Sequence, residues 1–203
     1  MKVLQISHKM PYPPLDGGAQ LINNSTKGLI ECGVDLTLLA INTPKNPVSL
    51  EDIPDEYKRK TNLTVVEVDT RIKPLQAFFN LFQHQSYFIS RFYSANFSSE
   101  LKDILSSNKF DIIQLEHLYL CIYIDVIRKY SNAKIILRPQ NIEYVIWELY
   151  LNNSKNIFKN LFNLSNIVTR IIKMNTYVSA TDFKPALSQR YAYRSNKKTK
   201  QIT

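Results

Sequence analysis

The sequence has few of the residues that build metal and thiol chemistry. Its 203 residues include two cysteines and three histidines, with no CxxC pair and no histidine cluster, so nothing in it predicts a zinc site. Both cysteines, Cys32 and Cys121, fall in apolar helical patterns, and we expect them to be buried free thiols. There is no GxSxG segment and no cysteine directly beside a histidine, so the usual hydrolase signatures are missing.

Long apolar runs are missing as well. No apolar run reaches the roughly 18 residues that a membrane-spanning helix needs. The apolar stretch that opens the chain is broken at Ser7 after about five positions, which is too short for the core of a signal peptide. We therefore expect a cytoplasmic protein whose first residues form a strand. Hydrophobic residues make up 44% and charged residues 21% of the chain, which is ordinary for a globular protein and argues against disorder of the whole chain.

Acidic residues almost disappear from the last quarter of the chain. Residues 1–150 carry 16 Lys+Arg and 16 Asp+Glu, whereas residues 151–203 carry 10 Lys+Arg and one acid, Asp182, so this segment holds the whole net charge of +9. Such a segment suits peripheral contact with an anionic inner-membrane surface, contact with nucleic acid, or a solvated linker face. Nucleic acid is the least favoured partner, because Tyr191 and Tyr193 are the only aromatic candidates for base stacking within the cluster.

Apolar runs that alternate with helical periodicity predict the fold class. We expect strands at residues 2–7, 35–41, 63–68, 110–115 and 134–137, and helices that include 19–32, 95–107 and 118–130. Alternating strands and helices predict an α/β, Rossmann-like parallel sheet with helices on both faces. We place this domain at residues 1–175 and take residues 176–203 as a basic segment or the start of an interdomain linker. Ligands of such sheets bind beyond the carboxyl ends of the strands.

The loop after the first strand ends in Asp16, Gly17 and Gly18, directly before a helix. Glycines let a ligand approach the backbone closely, and a helix N-terminus offers N–H groups to an anion. The segment is neither a GxGxxG fingerprint nor a P-loop. A simple turn before a helix would explain it equally well.

Polar residues also follow the fourth and fifth strands. Glu116 could accept hydrogen bonds from sugar hydroxyls, and His117 could donate or relay a proton, although both could instead cap the next helix. Arg138 ends an apolar strand, where a charge is costly unless it is paired or faces a cleft. Gln140 and Asn141 follow it, and Asn141 could serve as a helix cap.

Three segments in order resemble glycosyltransferase family 4, whose members have the GT-B fold. They are the opening strand with its Pro-rich loop and diglycine (residues 2–18), the segment at 110–116, and the segment at 136–144, which is similar to the family's R-x-H-N-x-E motif. The resemblance covers residues 1–150 well and the remainder poorly.

The resemblance implies a function. It implies the N-terminal, acceptor-side half of a retaining glycosyltransferase, which moves a sugar from a nucleotide-sugar co-substrate to an acceptor hydroxyl without a further cofactor or metal. Gly17 and Gly18 would lie near the donor phosphate and the acceptor, and Glu116, Arg138 and Asn141 would line the cleft. This chain departs from the family at Gln140, where a histidine is usual, so a titrating role there is in doubt.

The family's second, nucleotide-sugar-binding domain has no counterpart in this sequence. We therefore expect the 203-residue chain to be inactive alone and to need that domain from elsewhere. Two alternatives remain open: a sugar-binding or acceptor-binding module without catalysis, and a protein that binds nucleic acid or a membrane surface through its basic tail.

Overall fold

A computed structural model describes residues 1–71 and 87–139 of the chain. In the first range, strands and α-helices alternate in the order β1 Lys2–Ser7, α1 Gly17–Glu31, β2 Asp35–Asn42, α2 Asp55–Thr61 and β3 Leu63–Glu67, with a short 3₁₀ helix at Leu50–Asp52. In the second range they are α3 Tyr87–Ser90, α4 Ala95–Ser107, β4 Ile112–Leu115, a 3₁₀ helix at Leu118–Tyr123, α5 Ile124–Tyr130 and β5 Lys134–Leu137.

The five strands form one parallel sheet in the order β3-β2-β1-β4-β5. Apolar side chains fill the central strands because a parallel sheet is covered on both faces. The order confirms the predicted Rossmann-like α/β class. It also places β1 and β4 side by side, where the chain reverses its direction of travel across the sheet. In doubly wound folds this reversal opens a crevice at the carboxyl ends of the two strands.

The two faces of the sheet pack against different helices. One face carries the larger core, in which Leu4, Ile6 and Ile113 lie in one buried cluster with Phe97 of α4 and Ile127 of α5. The opposite face meets α1, whose buried side is formed by Ala19, Ile22, Asn23 and Thr26. The buried side of α1 therefore includes two polar residues, Asn23 and Thr26, as well as apolar ones.

Element boundaries agree with the predictions at β1, α4 and β5 and differ elsewhere. Helix α1 begins at Gly17 rather than at residue 19, because the Asp16 side chain accepts a hydrogen bond from the Ala19 N–H at 2.8 Å and caps the first turn. The single helix predicted at 118–130 is wrong. It is a 3₁₀ helix followed by α5, and the Leu120 N–H donates to the His117 carbonyl three residues back.

The two cysteines differ in exposure. Cys121 is buried, as predicted, but Cys32 is exposed, which contradicts the expectation of a buried thiol there. Cys32 comes directly after α1 and immediately before Gly33, which has a positive φ of 72°. The left-handed turn at the helix end therefore leaves Cys32 on the solvent side. The predicted domain boundary at residues 175/176 and the basic segment lie outside the described residues.

Candidate functional site

The candidate site lies at the carboxyl ends of β1, β4 and β5, beside the first turn of α1. Glu116 directly follows β4, and its N–H donates to the Ile6 carbonyl of β1 at 2.9 Å. Arg138 directly follows β5, and its N–H donates to the Leu115 carbonyl of β4 at 2.8 Å. Both residues therefore continue the hydrogen-bond ladders of the sheet, and their backbone positions are as well defined as those of the strands.

Glu116 is the centre of a buried polar network. It has no solvent exposure, and its Oε1 accepts hydrogen bonds from the Nε2 groups of Gln5, at 2.5 Å, and Gln114, at 2.6 Å. Arg138 Nη1 donates to both carboxylate oxygens, at 3.0 and 2.8 Å. A buried carboxylate needs this many donors and a cation to offset its desolvation. Glu116 therefore faces protein groups and does not cap the following 3₁₀ helix.

The two glutamines extend the network to α1. Gln5 and Gln114 are register partners on β1 and β4, so their side chains lie on the same face of the sheet. Thr26 of α1 donates to Gln5 Oε1 at 2.8 Å, and Gln114 Nε2 also donates to Ser25 Oγ at 3.2 Å. The polar residues of α1 thus hold the amides that hold Glu116.

A second cluster joins the loops that follow β1 and β4. The rings of His8 and His117 have centroids 4.4 Å apart, and Tyr119 lies 4.0 Å from His117 and stacks on Phe92 at 4.4 Å. His117 Nδ1 accepts a hydrogen bond from the Tyr119 N–H at 3.4 Å, so His117 caps the 3₁₀ helix through its side chain. The capping alternative considered for His117 is therefore present in the structure.

His8 is held neutral by its surroundings. Burial lowers the pKa of His8 well below its ordinary value, and the nearby His117 and Lys9 lower it further, while Asp16 opposes them. Its Nδ1 is buried and has no hydrogen-bond partner in the described part of the chain. The position of His8 therefore favours the neutral form of its ring.

The start of α1 completes the edge. Asp16 caps the helix and pairs with Lys9 at 3.0 Å, and the hydrogen bond from the Ala19 N–H is the main cause that lowers the pKa of Asp16. A Cβ added at Gly17 would meet no atom within 4 Å, so the backbone here borders open space. Asp16 itself is engaged by protein groups.

Among the predicted site residues, the structure brings Glu116 and Arg138 into direct contact, with His117 next in sequence. Asp16 precedes α1 and is close enough to His8 to influence its pKa, and Gly17 and Gly18 follow Asp16 in α1. Gln140 and Asn141 lie outside the described residues. Two members of the site were not predicted from the sequence, Gln5 and His8. The signal for Gln5 was available, since an amide in the middle of an otherwise apolar strand needs a partner.

Comparisons of the chain with protein-family models, with curated proteins and with solved structures give no match. The described residues contain no group of three or more His, Cys, Asp or Glu side chains placed to hold a metal ion. No helix within residues 1–71 and 87–139 has the length and apolar character to cross a membrane.

Proposed function

We propose that this chain is the acceptor-side, N-terminal half of a retaining glycosyltransferase, which moves a sugar from a nucleotide-sugar to an acceptor hydroxyl. The nucleotide-sugar would be held by a second Rossmann-like domain supplied by polypeptide outside these 203 residues. A cytoplasmic location, with peripheral membrane contact through residues 151–203, belongs to the same proposal.

The observation that carries the proposal is the gathering of hydrogen-bonding groups at the crevice between β1 and β4. Arg138 is fixed by Glu116 at one side of it, and Gly17 opens the first turn of α1 to approach. Sugar acceptors are recognised by this mixture of fixed donors and acceptors. The three sequence segments that resemble glycosyltransferase family 4 end at or adjoin this edge.

Within the proposal, each residue has a role in binding or orientation. Gly17 lets the ligand approach the backbone at the start of α1, and Arg138 donates from a fixed guanidinium. His8 is buried and packs against the ring of His117. Glu116 acts through Arg138, because it is fully buried. Stabilisation of the departing nucleotide diphosphate falls to the second domain.

Saccharide binding by matched glycine variants tests the proposal. Gly17→Ala places a methyl group in open space at the edge, and Gly28→Ala places one in open space in the last turn of α1. Neither φ is positive, so both variants are expected to fold, and Gly28→Ala to gain about 0.5–1 kcal/mol in stability from helix propensity. We expect Gly17→Ala to weaken binding to a panel of glycosides on an array, and Gly28→Ala to leave it unchanged.

Absence of saccharide binding by the wild-type chain would overturn the proposal. Equal binding by both variants would remove Gly17 from the site. A second experiment tests whether sugar transfer requires a separate nucleotide-sugar-binding domain. In it, the purified chain is incubated with nucleotide-sugar donors and with the glycosides that bind. We expect no transfer. Transfer by the 203-residue chain would show that the donor site does not require a second domain.

A further inference from the structure

Arg138 is fixed by hydrogen bonds both at its backbone and at its guanidinium. The backbone N–H is part of the β4–β5 ladder, and Nη1 donates to both oxygens of Glu116. Glu116 in turn is fixed by the ladder to Ile6 and by the amides of Gln5 and Gln114. A cation held this way has little freedom left to lose when a ligand binds, which is the main cost of using an arginine.

Most of the donors of this guanidinium are unused. An arginine has five N–H donors, and the two hydrogen bonds to Glu116 both come from Nη1. The Nε–H and the two Nη2–H groups remain, and among the described residues Glu116 is the hydrogen-bond and ion-pair partner of this side chain. The side chain is 41% exposed. These three donors, which include the edge formed by Nε and Nη2, are therefore available to a ligand that reaches the exposed part of the side chain.

That edge has the geometry of a fork with two parallel N–H groups. Such a fork matches a carboxylate or a phosphate, which accept two parallel hydrogen bonds, better than it matches a single hydroxyl. The negative charge of Glu116 opposes an approaching anion, so the attraction has to come from the directed hydrogen bonds of the fork and not from a basic patch.

We propose that Arg138 binds an anionic group, phosphate or carboxylate, carried by the sugar acceptor, and that Glu116 is the residue that positions it. The identification of the anion as part of an acceptor rests on the proposed function. The anion site itself rests on the geometry of Arg138 and Glu116 alone. An anion site at Arg138 would restrict the sugar acceptors to phosphorylated or acidic molecules.

The test follows the Nε–H resonance of Arg138 by NMR in ¹⁵N-labelled full-length chain at constant ionic strength. Inorganic phosphate, acetate and methyl glucoside are titrated separately, and the resonance is assigned by its loss in Arg138→Lys. We expect a saturable shift with phosphate or acetate and none with the neutral glucoside. Arg138→Lys keeps the charge but loses the fork, so phosphate binding, followed in wild type and variant by the backbone amide resonances of residues 116 and 138, should weaken about tenfold or more. Arg71→Lys, at an exposed arginine paired with Asp69, should change nothing.

A saturable shift with phosphate but not with acetate indicates a phosphorylated acceptor. A saturable shift with both anions indicates that the site accepts either phosphate or carboxylate. No saturable shift with either anion, or an equal shift in response to the glucoside, overturns the anion site. Full affinity in Arg138→Lys would overturn it too. The result is separable from the proposed function. Glycoside binding without anion binding leaves a neutral acceptor, whereas anion binding without any glycoside binding refutes the sugar assignment and keeps the anion site.

The direction in which Glu116→Gln changes the affinity for phosphate tests whether Glu116 positions Arg138. Removal of a nearby negative charge should tighten phosphate binding if Glu116 acts by charge alone. If Glu116 positions Arg138, the variant should bind phosphate more weakly although the site has become more positive. Tighter binding would overturn the positioning role. Circular dichroism checks that the variant folds, and if it does not, the comparison of Arg138→Lys with Arg71→Lys decides.

Discussion

Removing Arg138 alone should be more harmful than removing both partners of the Glu116–Arg138 pair. Arg138→Gln leaves a carboxylate with no solvent exposure and only two neutral donors, from Gln5 and Gln114. Loss of one partner from a buried pair costs roughly 3–5 kcal/mol. Because the Arg138 side chain is 41% exposed and water screens part of the attraction, we expect the lower end, about 3 kcal/mol.

The reverse change should be milder. In Glu116→Gln the two glutamines can still donate to an amide oxygen, and Arg138 can turn to water. The loss is then about one charge-assisted hydrogen bond, about 1.5 kcal/mol. In the double variant no buried charge is left, so its stability should be close to that of Glu116→Gln and above that of Arg138→Gln. The second substitution thus rescues the first.

Urea denaturation of the four proteins, followed by far-ultraviolet circular dichroism, measures this cycle. The matched control is the exposed pair Lys60–Glu56 of α2, where Lys60→Gln, Glu56→Gln and their combination should shift the urea midpoint only slightly. If the double variant at 116 and 138 loses the sum of the two single losses, the pair is not coupled. The description of Glu116 as a buried charge that depends on Arg138 would then be wrong.

Two further outcomes follow from the buried titratable groups. Burial lowers the pKa of His8, so below about pH 6.5 the unfolded chain binds a proton that the native state resists. The free energy of unfolding should therefore decrease as the pH is lowered, by up to about 1.4 kcal/mol per pH unit. His8→Asn should flatten the dependence of the urea midpoint between pH 7 and 5, and parallel curves for the two proteins would contradict this. Burial raises the pKa of Cys121 to about 12. A disulfide reagent that reacts with thiols should therefore modify only the exposed Cys32 in the native protein at pH 8, and both cysteines in urea. Rapid reaction of two thiols in the native protein would refute this.

The fold was accessible from the sequence because its signals are local. Apolar runs of β-branched residues mark buried strands, and α4 carries Phe97, Leu101 and Leu105 at helical spacing, all of them buried. The 3₁₀ helix at Leu118–Tyr123 was not accessible, because its cause is tertiary. The hydroxyl of Tyr123 donates to the Phe92 carbonyl at 2.7 Å and accepts from the Ser94 N–H at 2.9 Å, and neither partner is near it in sequence.

The site was accessible only in part, for a related reason. Glu116 and Arg138 stand out because each is a charge at the end of an apolar strand, which predicts that each needs a partner. That they are partners of one another follows from the pairing of Leu115 with Leu137 across β4 and β5. Gln5 enters the network only because its register partner is Gln114. Register between distant strands is set by the whole sheet and cannot be seen in any local pattern.

The network also bears on what this edge is for. Two glutamines, a serine and a threonine lie on the α1 side of central strands where aliphatic residues would pack, and their net effect is to fix one carboxylate. Apolar residues of similar volume are often neutral or stabilising in place of a buried ion pair, so stability does not account for the arrangement. Geometry does: the carboxylate holds Arg138 in one orientation at the crevice between the strands. A fold that needed only a core at this position would have no use for a fixed guanidinium.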